Sequence, residues 1–289
     1  MPAPLLTVIV PSYNSQDYLD RAMTSLVGYG DEVEVIIVDD GSKDATGGIA
    51  DDWASRYGSV RVIHQENKGH GGAVNAGVAA AAGTHVRVVD SDDWLLPGAI
   101  EHVLAVWATI AGDDRYAGIV ALRGTDDHTP MGTWMPAGVT EVKMWDLLEK
   151  YRFKGDTSLI HRTDVLRDHP YEVAPGETFV SEASVFFLLD EEYWMRTDNT
   201  ILTICHYLPD GLTRNFAANA KRNPIGYWKH KRYCAQRSTT LKGIVRETLL
   251  YLVGCRLAGQ RGAIAMAPHK VVAAACYLPA LVARHTVFR

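Results

Sequence analysis

The amino-acid sequence predicts an α/β protein: a mostly parallel sheet flanked by helices, followed by a helical C-terminal extension. Two observations predict the sheet. Short β-branched runs alternate with stretches of helical periodicity over the first hundred residues, and each run ends in polar or acidic side chains. A third observation predicts the extension. Residues 221–289 hold thirteen Lys and Arg against the single acid Glu247, so this segment carries +12 and the first 220 residues carry -17, in a chain of formal charge -5. Two regions of opposite sign suit different partners. With 289 residues, 47% of them hydrophobic and 22% charged, the chain buries a sizeable core, which excludes a disordered protein.

Residues 6–10 read as a first strand. No basic segment precedes them and Pro11-Ser12-Tyr13-Asn14 ends the run at once, unlike a secretory signal. In residues 17–26, Tyr18, Ala22 and Leu26 recur at helical spacing, and strand 33–38, helix 45–56, strand 60–63, helix 72–82 and strand 86–89 continue the alternation. Helices of this length between strands imply right-handed crossovers and a parallel sheet, whose ligand sits beyond the carboxyl ends of the strands. Cys205, Cys234, Cys255 and Cys276 show neither Cys-x-x-Cys pairing nor metal-ligand spacing and read as core thiols of a reducing, cytoplasmic compartment.

The strand ends carry the chemistry. After strand 33–38, Asp39 and Asp40 precede a Gly-Ser turn, where a carboxylate can accept from a nucleobase N–H or a ribose hydroxyl, or cap the next helix. After strand 60–63, Gly69, Gly71, Gly72 and Gly77 allow close backbone approach to a ligand at a helix start, with Lys68 adding a charge. The pattern is neither a Walker loop nor the dinucleotide fingerprint. After strand 86–89, Asp90, Asp92 and Asp93 fall within four positions. Crowded carboxylates repel and need a cation or donors, and oxygen-only ligands favour a hard ion such as Mg or Mn, although the tripeptide alone is also what a solvated acidic turn looks like.

Taken together, TVIVPSYN, VEVIIVDDGSKDAT, ENKGHGGAVNAG and RVVDSDDWLLPGA stand in the order and spacing of family 2 glycosyltransferases, which the chain resembles densely over residues 6–97 and more loosely to about residue 220. The resemblance implies a GT-A type, Rossmann-like fold and a nucleoside-diphosphate sugar donor, with UDP as the expected nucleotide. It implies that Pro11, Tyr13, Asp39 or Asp40 border the nucleobase, that Asn67, Gly69 and Asn75 border the nucleotide-sugar, and that Asp90, Ser91 and Asp92 form the Asp-x-Asp element, with a divalent ion (Mn or Mg) on Asp92. The family reaction is a single displacement with inversion in which a carboxylate takes the acceptor hydroxyl's proton. Glu182, in GETFVSEASVFFLL, falls where many relatives carry a Glu-Asp pair; here the second member is Ala183, and Glu177 is the second choice of base. By itself Glu182 also reads as a first-turn helix acid. Asp210-Gly211-Leu212-Thr213-Arg214-Asn215 occupies the place of a polar family loop near the diphosphate, which makes Arg214 an expected phosphate contact. The Gln-x-x-Arg-Trp signature of processive relatives is absent, which implies one sugar per encounter.

The expected organisation is a nucleotide-sugar half over residues 1–115, an acceptor half over residues 116–220 and a basic helical region over residues 221–289. The apolar runs of the last region, 248–255 and 271–283, are too short to span a bilayer and are bracketed by Arg256, Lys270 and Arg284. They read either as a solvated helical cap or as an interfacial segment seated on the inner face of the cell membrane, where a glycan or lipid-linked acceptor in surface polysaccharide assembly is found. No nucleic-acid recognition motif accompanies the charge. The competing classes are a nucleotidyltransferase, which should show a Gly-rich basic loop after its first strand where this chain has PSYN, and a non-catalytic nucleotide- or glycan-binding relative, which Ala183 favours.

Overall fold

Continuous apolar runs set the centre of the sheet. In the structure, a computed structural model describing residues 3–206 and 216–287, β1 (Leu6–Ser12) and β2 (Val33–Asp39) are buried at every position, as strands covered on both faces must be. The chain divides into two units. The first comprises Met1–Pro170 with Val185–His206, and the second Tyr171–Ser184 with Tyr207–Arg289.

In the first unit, β1 and β2 alternate with α1 (Leu19–Thr24), α2 (Thr46–Arg56), β3 (Val60–His64), α3 (Gly69–Ala80) and β4 (His85–Val88). The expected alternation is present throughout. Helix α3 begins three residues before the expected start at Gly72, because Gly69 adopts φ +73° and donates its N–H to the Asn67 side chain, turning the chain into the helix early. There follow β5 (Trp94–Leu95), α4 (Ala99–Ala108), β6 (Tyr116–Gly124), β7 (Glu141–Val142), α5 (Met144–Glu149), β8 (Thr157–Arg162) and α6 (Thr163–Asp168). Helix α7 (Ala183–Leu189) crosses the boundary between the units, and β9 (Trp194–Ile204) completes the sheet.

The strand order is β3-β2-β1-β4-β8-β6-β9-β5, with β7 paired to β9. Strands β1 to β4 are parallel, β8 inserts antiparallel between β4 and β6, and β9 runs parallel to β6. The chain winds outward from β1 to β3 and then returns to place β4 on β1's other side. That reversal is a topological switch point, the place where open sheets of this kind bind ligands beyond the carboxyl ends of their strands.

The second unit is helical: α8 (Phe216–Arg222), α9 (Pro224–Arg237), α10 (Leu241–Leu257), α11 (Ala263–Met266) and α12 (Lys270–Val287). Pro224 opens α9, where its missing N–H costs nothing. Tyr227, Tyr251, Leu252, Val253, Ala273, Cys276 and Ala280 form this unit's own core. Among the described residues, no helix is long and apolar enough to cross a membrane.

Two buried contacts hold β1 to its neighbours. Gly77 of α3 lies against β1 so closely that an added Cβ would sit 2.5 Å from Cγ2 of Ile9, a fully buried side chain with no room to turn. This glycine therefore serves helix-on-sheet packing and not ligand approach. At the amino edge, Glu34 accepts from the Thr7 hydroxyl (2.6 Å), from the backbone N–H groups of Ala82 and Gly83, and from Arg61 (2.8 Å). Burial alone would raise this carboxyl's pKa, but those donors outweigh it and hold it below the usual range.

Gly77→Ala should lower unfolding stability in denaturant titration by about 1–3 kcal/mol despite alanine's better helix propensity. Because folding lowers the Glu34 pKa, its contribution is present above the unfolded carboxyl value of about 4.3 and fades as pH falls through the folded value. Glu34→Gln should cost about 1–3 kcal/mol at pH 7, and the gap to wild type should narrow at pH 3.

Candidate active site

The loops that follow β1, β2, β3 and β4 are knitted to one another at the switch point. Asn14, with φ +50°, accepts from the Lys43 N–H (2.8 Å) and donates its own N–H to the Ser42 hydroxyl (3.0 Å). Ser15 and Ser91 hydroxyls meet at 2.7 Å, tying the end of β1 to the end of β4. Asp39 caps its own turn through the Ser42 N–H (3.0 Å) and pairs with His64 (3.0 Å), while Asp40 accepts from the Lys68 N–H (2.8 Å) and the Gln65 amide (2.7 Å). Neither acid caps α2; that bond comes from Asp44, which accepts the Thr46 N–H at 3.0 Å.

Of the residues expected to border the donor, Pro11, Asp39, Asp40, Gly69 and Ser91 are buried and shape these loops. Tyr13 and Asn67 are exposed, and Asn75 of α3, Asp90 and Asp92 are half-buried. The structure therefore brings Tyr13, Asp39, Asp40, Asn67, Gly69, Asp90, Ser91 and Asp92 to one edge of one unit, with Asn75 in the second turn of α3. Arg214 lies outside the described residues. Glu182 belongs to the second unit, immediately before α7, and it has a partner of its own. Glu177 is committed elsewhere: its two oxygens accept the backbone N–H groups of Ile225 (2.5 Å) and Gly226 (2.8 Å) in the first turn of α9.

The acidic turn is organised by a cation 30 residues further along. Arg123, near the end of β6, places Nη1 3.2 Å from Asp90 Oδ2 and 3.1 Å from Asp93 Oδ2. Asp90 Oδ1 also meets His70 Nε2 at 3.1 Å, and Asp93 accepts from the Cys205 thiol at 2.9 Å. Burial opposes ionisation of Asp90, but His70 and Arg123 override it and hold the carboxyl well below its usual pKa. Asp93 is 4% exposed; burial pushes it up to about 7 despite Arg123. A second cation, Arg87, is fully buried in β4, where it donates to the hydroxyls of Ser158 (2.7 Å) and Thr203, and burial pulls its pKa down to about 9.

Asp92 is treated differently. Its backbone carbonyl accepts from Arg21 of α1 at 2.7 Å, and that guanidinium lies 4.0 Å over the Trp94 ring. Its carboxylate receives no hydrogen bond from another described residue, and burial together with the Asp90 charge raises its pKa. Among the described residues no group of three His, Cys, Asp or Glu converges as a ready-made metal cage. The donor set fits Mg or Mn all the same, because such ions bind through one or two carboxylates plus substrate phosphates. Arg21, Arg87 and Arg123 escaped sequence reasoning, which had only local spacing to work with.

Removing the guanidinium should expose this dependence. Arg123→Met leaves the buried Asp93 without its cation and Asp90 with His70 alone, and should cost about 3 kcal/mol in chemical denaturation. Adding Asp93→Asn should recover part of that loss, and a double-mutant cycle measures the coupling.

Residues 7–167 match the family model described as glycosyl transferase family 2. An uncharacterized glycosyltransferase, EpsJ of Bacillus subtilis (strain 168), is 42% identical over 93 residues, 32% of this chain and 27% of that protein. The matches to the first curated relatives cover about a third or less of those proteins' lengths. Staphylococcus aureus TarS 1–349 in complex with UDP-GlcNAc superposes with a TM-score of 0.60 at 17% identity, covering 98% of this chain and 92% of that one. The mannosyltransferase PcManGT from Pyrobaculum calidifontis, in complex with GDP-Man and Mn2+, gives a TM-score of 0.56 at 17% identity over all of this chain and 84% of that one. With its GT-A fold and a family match spanning more than half its length, the chain belongs to glycosyltransferase family 2.

Proposed function

We propose that this glycosyltransferase is inverting and non-processive, moving one sugar from a nucleoside diphosphate, with UDP the preferred nucleotide, to a hydroxyl of a glycan or lipid-linked acceptor in surface polysaccharide assembly. The observation that carries this reading is Asp92. At the switch point, where an open α/β sheet binds ligand, it is the acid of the turn whose carboxylate no other described residue hydrogen-bonds. The nucleotide sugars bound by TarS and PcManGT, and the Mn2+ with the latter, support a donor of this class.

Asp92 would hold the divalent ion, which when bound supplies positive charge beside the diphosphate. The protein's own part is geometric and electrostatic. Arg21 fixes the Asp92 backbone, and Arg123 with His70 keeps Asp90 ionised toward the ribose side. Tyr13 and Asn67 stand at the same edge, and Asn75 and Arg214 are proposed for the nucleotide-sugar and its diphosphate.

Glu182 is proposed as the base. Glu177 is spent on capping α9, which leaves Glu182 as the acid of GETFVSE for this role. The acceptor oxygen forms its bond to the anomeric carbon while Glu182 takes the hydroxyl proton. The bond from that carbon to the diphosphate oxygen breaks, and its electron pair leaves on the nucleoside diphosphate. Proton transfer of this kind is worth about 10²–10⁴-fold. The residue organisation follows: donor half 1–115, acceptor half 116–220 and basic helices 221–289, working in the cytoplasm at the inner face of the membrane.

Glu182→Gln should lower turnover by about 10²–10⁴-fold while leaving calorimetric donor binding within about twofold of wild type. Asp92→Ala should abolish transfer with an unchanged far-UV spectrum. Equal loss of donor binding in both variants would contradict the division of roles.

A further inference from the structure

Helix α12 is built with its bulk on the wrong side for a helix in water. The residues it buries are small: Ala273, Cys276 and Ala280, spaced three and four apart, form its inward face. The large apolar side chains point outward. Val271 is 85% exposed and Leu278, seven positions on, is 70% exposed, with Tyr277 beside it. Burying Val and Leu side chains is favourable, so a helix that exposes its largest apolar groups has a second apolar phase available to it. The start of α10 repeats the pattern: Leu241 (73% exposed) and Val245 form one outward column, and Lys242 and Arg246 the adjacent one.

Charge identifies that phase. Glu247 is the single acid from residue 221 onward, and it is withdrawn from the surface: 3% exposed, held by Lys231 at 3.0 Å and by Arg246 at 2.6 Å. Lys242, Arg256, Arg261 and Lys270 are exposed. The helical region therefore presents apolar side chains among cations with no exposed acid among its described residues from 216 to 287, and no helix there is long and apolar enough to cross a bilayer. A second copy of the same surface would bring cation against cation.

We propose that the outward face of α12 is a peripheral docking surface for an anionic lipid bilayer, with Val271 and Leu278 entering the interface and Lys270, beside Val271, held by headgroup phosphates. This deepens the reading of a lipid-linked or membrane-proximal acceptor and rests on it for its purpose, though not for its physical basis. Pro279, inside α12, allows the helix axis to bend along a surface.

The test is flotation of the full chain with phosphatidylcholine vesicles made with and without phosphatidylglycerol. Binding should appear with phosphatidylglycerol and weaken with salt. Leu278→Glu should abolish it, and Lys270→Glu should weaken it by at least about fivefold, a cation at such a surface being worth a factor of about five. Circular dichroism and calorimetric UDP binding in the presence of Mn2+ should match wild type in every variant, which keeps failure of docking distinct from misfolding and from failure of the transferase reading. Absence of vesicle binding, binding indifferent to these substitutions, or a wild-type dimer by light scattering that Leu278→Glu dissociates would overturn the proposal.

Discussion

The guanidinium of Arg123 between Asp90 and Asp93 is the contact on which the acidic turn after β4 depends. Three carboxylates within four positions at a strand end repel one another, and the turn closes because one cation from β6 compensates two of them at 3.2 and 3.1 Å. That compensation sorts the acids. Asp90 is held ionised, Asp93 is buried against a thiol, and Asp92 keeps a carboxylate with no other described residue donating to it. An ion pair half-sheltered from water is a modest source of stability, but breaking one by deleting a partner is costly, so the arrangement tolerates little change on either side.

The topology explains why this turn can hold a ligand. β4 returns to the far side of β1 after β2 and β3 have been laid down, which puts the switch point at the carboxyl ends of β1 and β4, where open sheets of this kind bind ligands. The buried members of the motif join the strand ends there. The Ser15–Ser91 hydroxyl contact, the Asn14 bonds to the β2 loop and the Asp40 bonds to the β3 loop make four separate strand ends one surface. Asp39, Asp40 and Ser91 thus act as loop architecture, whereas Tyr13 and Asn67 are exposed and Asp92 is half-buried.

Much of this was legible in the sequence because it is local. Continuous Val and Ile runs give β1 and β2, helical spacing gives the crossovers, and the four motifs together imply the family that residues 7–167 match. What sequence reading missed depends on contacts between distant segments. Nothing near residue 123 signals that its side chain reaches residues 90 and 93, and a lone Arg87 in a Val run gives no hint of its seat against Ser158 and Thr203. Gly77 reads as part of a ligand-binding glycine cluster until Ile9 is seen beneath it. Glu177 reads as a candidate base until α9, some 48 residues on, is found resting its first turn on that carboxylate. The antiparallel insertion of β8 likewise follows from packing across the sheet and leaves no periodic trace.

On the proposed function, Asp92 and a donor diphosphate together make the metal site, neither being sufficient alone. The most direct measurement is titration of Mn2+ into the protein followed by electron paramagnetic resonance of the free ion, with and without UDP. The expected result is weak Mn2+ binding to the protein by itself, much tighter binding when UDP is present, and loss of that difference in Asp92→Asn. Tight Mn2+ binding without nucleotide, or a UDP-dependent difference that survives in Asp92→Asn, would contradict it.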